Sequence, residues 1–214
     1  MRIPEIIVFF SLAAGYSFVG SMPPAPGNLI TIQLSITKGI RAALLFAFGE
    51  VIFEFIFGYI SWEIASFIAD KNKYNLHLSA IAIPVFLIMA FYFLFNKKSE
   101  KQATQLKNTK SFYYGLLIGL LNPLAIPFWV YTISLFFSNG QIEKESPYYW
   151  YFLAGIPIGS FALLALYALL GEKIQSIMKF RIELLNRIIA ILFFLMALLQ
   201  TIQLLKSNYF FSIS

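Results

Sequence analysis

Six apolar stretches, set apart by charge clusters and by proline and glycine, run along the 214 residues: about Ile6 to Ser35, Ala42 to Ser61, Leu76 to Phe95, Phe112 to Phe137, Tyr149 to Leu170 and Ile188 to Leu205. Each is long enough to span a membrane as a helix, because about 20 residues at 1.5 Å rise cover the roughly 30 Å hydrocarbon layer. The first and fourth are overlong, and both carry breakers: Gly20-Ser-Met-Pro23-Pro24-Ala-Pro26-Gly27-Asn28 and Gly119-Leu-Leu-Asn122-Pro123-Leu-Ala-Ile-Pro127. The extra residues suit helices that unwind, tilt or re-enter before continuing.

Sliding the chain by about 99 residues sets Gly20 on Gly119, Pro24 on Pro123 and Ser35 on Ser134. Three segments per half is an odd number, so the second triplet must run upside down relative to the first. The pattern therefore predicts an all-α integral membrane protein of six transmembrane helices, built as two inverted three-helix repeats with helices 1 and 4 broken at the proline motifs. Residues 1–214 form one transmembrane domain, with a first repeat over about 6–95, a polar, basic linker over 96–111 and a second repeat over about 112–205.

Composition sharpens this picture. Hydrophobic residues make up 59% of the chain and charged ones 12%, far from a soluble globular domain. The bilayer is the solvent, and each spanning segment must satisfy its own backbone hydrogen bonds. With no cysteine, disulfides, thiolate metal sites and dithiol redox relays are excluded. Met1-Arg2 and the apolar run into Ala13-Ala14-Gly15 imitate a signal peptide, but the run continues through Val19 and has an internal counterpart near Phe112, so these residues are expected in the mature protein.

The net charge of +6 lies in short loops. Loops 1–2, 3–4 and 5–6 hold 11 basic residues (Lys38, Arg41, Lys97, Lys98, Lys101, Lys107, Lys110, Lys173, Lys179, Arg181, Arg187) against 5 on the other side (Arg2, Lys71, Lys73, Lys144, Lys206). The positive-inside rule then places the linker in the cytoplasm and both termini outside it.

Two carboxylates lie deep in an apolar segment, Glu50 and Glu54, and their i,i+4 spacing puts them on one helix face. Counted from Arg41, nine residues of rise place Glu50 about 13 to 14 Å into the membrane. A charged acid there costs about 2.5 to 3.5 kcal/mol, so at least one is expected to be protonated or paired. The stripe Ala43, Ala47, Glu50, Glu54, Gly58, Ser61 should face inward, where a substrate or proton would pass. The bland alternative is that the acids merely hydrogen-bond unwound backbone and pin the bundle.

At the breaks, Pro23, Pro24, Pro26, Pro123 and Pro127 lack amide donors and obstruct carbonyls a turn earlier, leaving backbone groups free. Gly27 permits the excursion, and Asn28 and Asn122 bring amides to the same level. A half-helix starting after Pro26 or Pro123 would aim its positive end at an anion, while free carbonyls with Glu50 or Glu54 would receive an ammonium. The candidate binding or coupling residues are therefore Pro24, Pro26, Gly27, Asn28, Glu50, Glu54, Asn122 and Pro123.

Other features read as structure. Gly115-x-x-x-Gly119 and Gly155-x-Pro157-x-Gly159 look like helix contacts. Trp62, Trp150 and the tyrosines near Tyr148 to Tyr151 look like interfacial anchors. His77 suits a solvated or headgroup position. No metal constellation, phosphate loop or nucleophile and base pair is visible, so neither an enzyme nor a cofactor is expected.

Over nearly its whole length the chain resembles the LysE/RhtB superfamily of bacterial amino-acid exporters. The likeness rests on Pro24-Ala25-Pro26 followed by Gly27-Asn28, similar to that family's Pro-Gly-Pro motif. It continues with Lys38-Gly39-Ile40-Arg41, an acid in helix two at Glu50 or Glu54, and Asn122-Pro123-Leu124 in place of Asn-Pro-Lys. Ala25 and Leu124 stand where glycine and lysine are usual. The resemblance implies export of amino acids or related small metabolites across the bacterial inner membrane, driven by a proton or ion gradient, by proteins often taken to act as dimers. Two other functions remain open at this level: a cation or metal exporter using Glu50 and Glu54 as oxygen ligands, and a non-transporting membrane subunit.

Overall fold

The computed structural model describes residues 3–23, 25–69, 74–95, 110–122, 125–171, 173 and 182–211. Eight α-helices and no strand occur among the described residues: α1 (Ile3–Gly20), α2 (Pro26–Lys38), α3 (Ile40–Ala69), α4 (Tyr74–Phe95), α5 (Ser111–Leu120), α6 (Ala125–Ser138), α7 (Tyr149–Leu169) and α8 (Ile182–Phe211). Among them, α3 and α7 are each long and apolar enough to cross a membrane, and α5 with α6 makes a third candidate if counted as one broken span.

The apolar stretch from Ile6 to Ser35 is two helices. α1 stops at Gly20 and α2 starts at Pro26, with Ala25 extended at its N-cap (φ −96°, ψ 163°). Proline is well suited to that first turn, where its missing N–H costs no helical bond and its fixed φ is already helical. The stretch from Phe112 to Phe137 likewise divides into α5 and α6. The second helices of the two pairs begin at Pro26 and Ala125, 99 residues apart. Pro24, Pro123 and nearly all of the linker, residues 96–109, lie outside the described residues, as does the side chain of His77.

Two compact units divide the described residues. The first draws on Met1–Gly58, Lys97–Pro123 and Pro147–Leu185, the second on Tyr59–Asn96, Leu124–Ser146 and Asn186–Ser214.

In the first unit, α1 packs along α7, and α2 packs on α7 and α5. Small residues set these crossings. A Cβ at Gly155 or Gly159 of α7 would collide with the backbone of α1 at Phe10 and Ala14, and a Cβ at Gly115 of α5 would collide with the Phe46 carbonyl of α3. Such approaches replace the hydrophobic drive, absent between helices in lipid, with direct van der Waals contact. The glycine pairs thus serve as helix contacts. Large apolar side chains such as Val8, Phe48, Leu117 and Leu169 point outward, while Ala13, Ala43, Ala47 and Ser160 are buried. Bulky apolar residues such as Leu34, Phe46, Phe152 and Ile156 are buried beside these small ones, so the interior mixes both while the outward apolar side chains suit a lipid surround.

In the second unit, α4 packs on α6 around Phe86, whose ring meets Tyr131 edge-on and Phe193 in a stack. Met89, Ala190 and Ala197 complete that core. Trp62 corrects the sequence expectation. It is 3% exposed and meets Phe137 edge-on, because α3 continues to Ala69 instead of ending near Ser61, which puts the indole inside the helix span and not at its border. Trp150, which belongs to the first unit, is by contrast exposed and stacks on Phe55 of that same unit.

Candidate functional site

The break between α1 and α2 is closed from within. Asn28, in the first turn of α2 and only 4% exposed, donates its amide to the carbonyls of Ser21 (2.7 Å) and Pro23 (2.8 Å). The Tyr167 hydroxyl of α7 donates to the carbonyl between them, that of Met22, at 2.8 Å. Three successive carbonyls that the break takes out of the helix ladder are thus each given a donor, as buried backbone requires. Asn28 acts as a clasp, and the sequence expectation of carbonyls left open for an ammonium is met instead by side chains of the protein itself.

The predicted stripe on α3 faces inward. Ala43 and Ala47 are fully buried, Gly58 is buried and both glutamates are half-buried. Glu50 lies where the pieces around the breaks converge. Its carboxyl stands against Gly27 in the first turn of α2, so close that a Cβ on Gly27 would overlap it. Its backbone carbonyl stands against Gly119, in the last turn of α5, where a Cβ would again collide. The acid thus meets the positive end of α2, the place where a helix favours negative charge. No side chain caps α2 there by hydrogen bonding from Ala25.

Glu54 meets a different environment, one turn along the same face. The hydroxyls of Ser17 on α1 and Ser160 on α7 hydrogen-bond its carboxyl. Ser160 is 1% exposed, and its hydroxyl also lies 2.8 Å from that of Ser17 and 2.8 Å from that of Ser21. On both glutamates the Oε2 atom is shut off from solvent and has no hydrogen-bond partner. An unpartnered buried oxygen is costly, so the two Oε2 atoms are unsatisfied polar groups within the bundle.

The structure therefore brings Gly27, Asn28, Glu50 and Glu54 into one unit around the first break, with Pro26 opening α2. Asn122 follows α5 and is exposed, its backbone N–H bonded to the Gly119 carbonyl at 3.2 Å. Pro24 and Pro123 are outside the described residues. Sequence reasoning missed Ser17, Ser21, Ser160 and Tyr167. One signal was present: Ser17 and Ser21 are spaced i,i+4 on one face directly before the break.

Apolar helices of spanning length, with acids turned inward among small residues, define a polytopic membrane protein with a polar interior site. A family model, the LysE type translocator, matches residues 18–203, and the chain belongs to that family. It is accordingly a membrane transporter for small molecules. No curated protein and no solved structure matches the chain.

Proposed function

We propose that the chain is a secondary active exporter of amino acids or related small metabolites in the bacterial inner membrane, coupled to the proton gradient. In this proposal six helices form two inverted three-helix repeats with both termini non-cytoplasmic, and the 99-residue interval between the starts of α2 and α6 supports the repeat. The observation that carries the function is the state of the two acids: each retains an enclosed oxygen without a partner, Glu50 against the first turn of α2 and Glu54 among serine hydroxyls. A zwitterionic cargo would place its ammonium on these carboxylates and its carboxylate toward the start of α2. Cargo and proton then compete for the same acids, which is the minimal requirement for antiport. Pro26, Gly27 and Asn28 shape the site, with Pro24, Asn122 and Pro123 as its remaining lining. Association as a homodimer belongs to the same proposal.

A cation exporter would rely on the same acids as hard oxygen ligands. Among the described residues no third histidine, aspartate or glutamate joins them in a group able to hold a metal, so the amino-acid reading is preferred.

Counterflow of labelled amino acids into proteoliposomes containing the purified chain tests the function. Exchange of at least one amino acid, accelerated by a pH gradient in the wild type but not in Glu50→Gln or Glu54→Gln, is expected. No exchange with any amino acid, together with protection of cells against excess metal salts, would replace this function by cation export; no flux of either kind would leave a non-transporting subunit.

A further inference from the structure

The serine hydroxyls around Glu54 form a continuous chain. Ser160 is its branch point: the Glu54 carboxyl, the Ser17 hydroxyl and the Ser21 hydroxyl all lie within hydrogen-bond reach of its Oγ. Ser160 and Ser17 are almost completely buried, 1% and 2% exposed, whereas Ser21 is half-buried and sits in the break itself, where α1 has ended. The chain thus leads from Glu54, half-buried but with its Oε2 shut off from solvent, through two nearly buried hydroxyls to the half-buried Ser21 at the interruption. In both serine pairs either hydroxyl can be the donor, so the direction of the bonds can reverse without moving a heavy atom.

We propose that Ser160 is a proton-relay residue that connects Glu54 to the break through Ser21. The inference rests on the proton-coupled function proposed above. Glu54 in its acid form gives its proton to Ser160 Oγ as the Ser160 proton passes to Ser21 Oγ and the Ser21 proton leaves to water at the break. One proton moves, Glu54 is left as a carboxylate ready for a cationic group, and rotation of the two hydroxyls resets the chain. Ser17, which bonds the carboxyl and Ser160 but does not bond onward to the break in this chain, orients the acid.

The neighbouring groups are compatible with such a path. Glu50, one turn away on α3, is the acidic group that interacts with Glu54. The packed helices bring few charges: α7 and α5 have none, α1 has Glu5 in its first turn and α2 has Lys38 in its last. The phenol of Tyr167 is committed to the Met22 carbonyl, and Tyr16 neighbours Ser17 on α1. No basic residue of these helices is placed to hold Glu54 permanently ionised.

Two fluxes separate a relay from a packing role. Counterflow exchanges cargo for cargo and needs no net proton movement, whereas flux driven by a pH gradient needs the proton to leave Glu54. For Ser160→Ala in full-length protein in proteoliposomes, gradient-driven flux of an amino acid that the wild type exchanges should fall about tenfold, the worth of one hydrogen bond to a charged group. Its counterflow should fall much less, so that the ratio of driven flux to counterflow drops by most of that factor. Ser21→Ala should behave in the same way, and Ser160→Thr should restore the driven flux because it returns the hydroxyl.

Undiminished driven flux in Ser160→Ala and Ser21→Ala, with the flux lost in Glu54→Gln, would overturn the relay and leave proton coupling intact. Undiminished driven flux in Glu54→Gln as well would overturn both. Parallel loss of counterflow and driven flux in Ser160→Ala, unrescued by threonine, would assign Ser160 to packing and likewise overturn the relay.

Discussion

The two interrupted stretches share a Gly-x-x-x-Pro spacing, yet the described residues around them bond in different ways. At the first, Asn28 and Tyr167 supply donors to the carbonyls of Ser21, Met22 and Pro23, and the Glu50 carboxyl presses on Gly27. At the second, α5 ends in a backbone turn, with Leu121 N–H on the Leu117 carbonyl and Asn122 N–H on that of Gly119, and the Asn122 side chain is exposed. What α5 contributes to the acids is a glycine face against the Glu50 backbone. Among the described residues, the first break brings a clasping amide and a carboxylate-bearing face together, and the second brings the glycine face of α5 to the helix that bears the acids.

Substitutions around the two breaks sharpen or break this contrast. The largest loss of stability is expected for Gly119→Ala, about 3 kcal/mol by unfolding in mixed detergent, because its Cβ meets a helix carbonyl that cannot turn aside. Asn28→Ala follows at about 2 kcal/mol, since two break carbonyls lose their donor. Gly27→Ala should cost about 1 kcal/mol, because the group it meets is a carboxyl that can swing away. Its transport should nevertheless fall well below that of Asn122→Ala, since the displaced acid is Glu50. Asn122→Ala should stay within about 0.5 kcal/mol of wild type, as an exposed position allows. Equal costs at Asn28 and Asn122 would show that the two breaks are built alike after all.

Much of the first break was legible in the sequence, and for definite reasons. Proline marks the start of α2 because its geometry suits a first turn, and Glu50 and Glu54 declare a common inward face because acids in an apolar run must leave the lipid. The helix limits were less legible. Hydropathy falls near Ser61, yet α3 continues to Ala69, because backbone bonding does not require apolar side chains and a helix can run on past an apolar stretch. That continuation buries Trp62.

The serines were illegible for another reason. A hydroxyl in a helix often bonds the carbonyl one turn back, as Thr37 does with Gln33, Thr132 with Phe128 and Thr201 with Ala197. Ser17 and Ser160 instead reach across helices, and only the α1–α7 crossing, set by Gly155 and Gly159, reveals it. Tyr167 is the same case: its phenol finds Met22 through tertiary packing that no spacing in the chain encodes.

Competition between cargo and proton at the acids beside the first break is the center of this account. It is tested most directly by adding the amino acid that the chain exchanges to purified protein in weakly buffered detergent and recording the pH. Release of about one proton per chain in the wild type, lost in Glu54→Gln, is predicted. Binding without proton release, or release undiminished in both Glu50→Gln and Glu54→Gln, would contradict it.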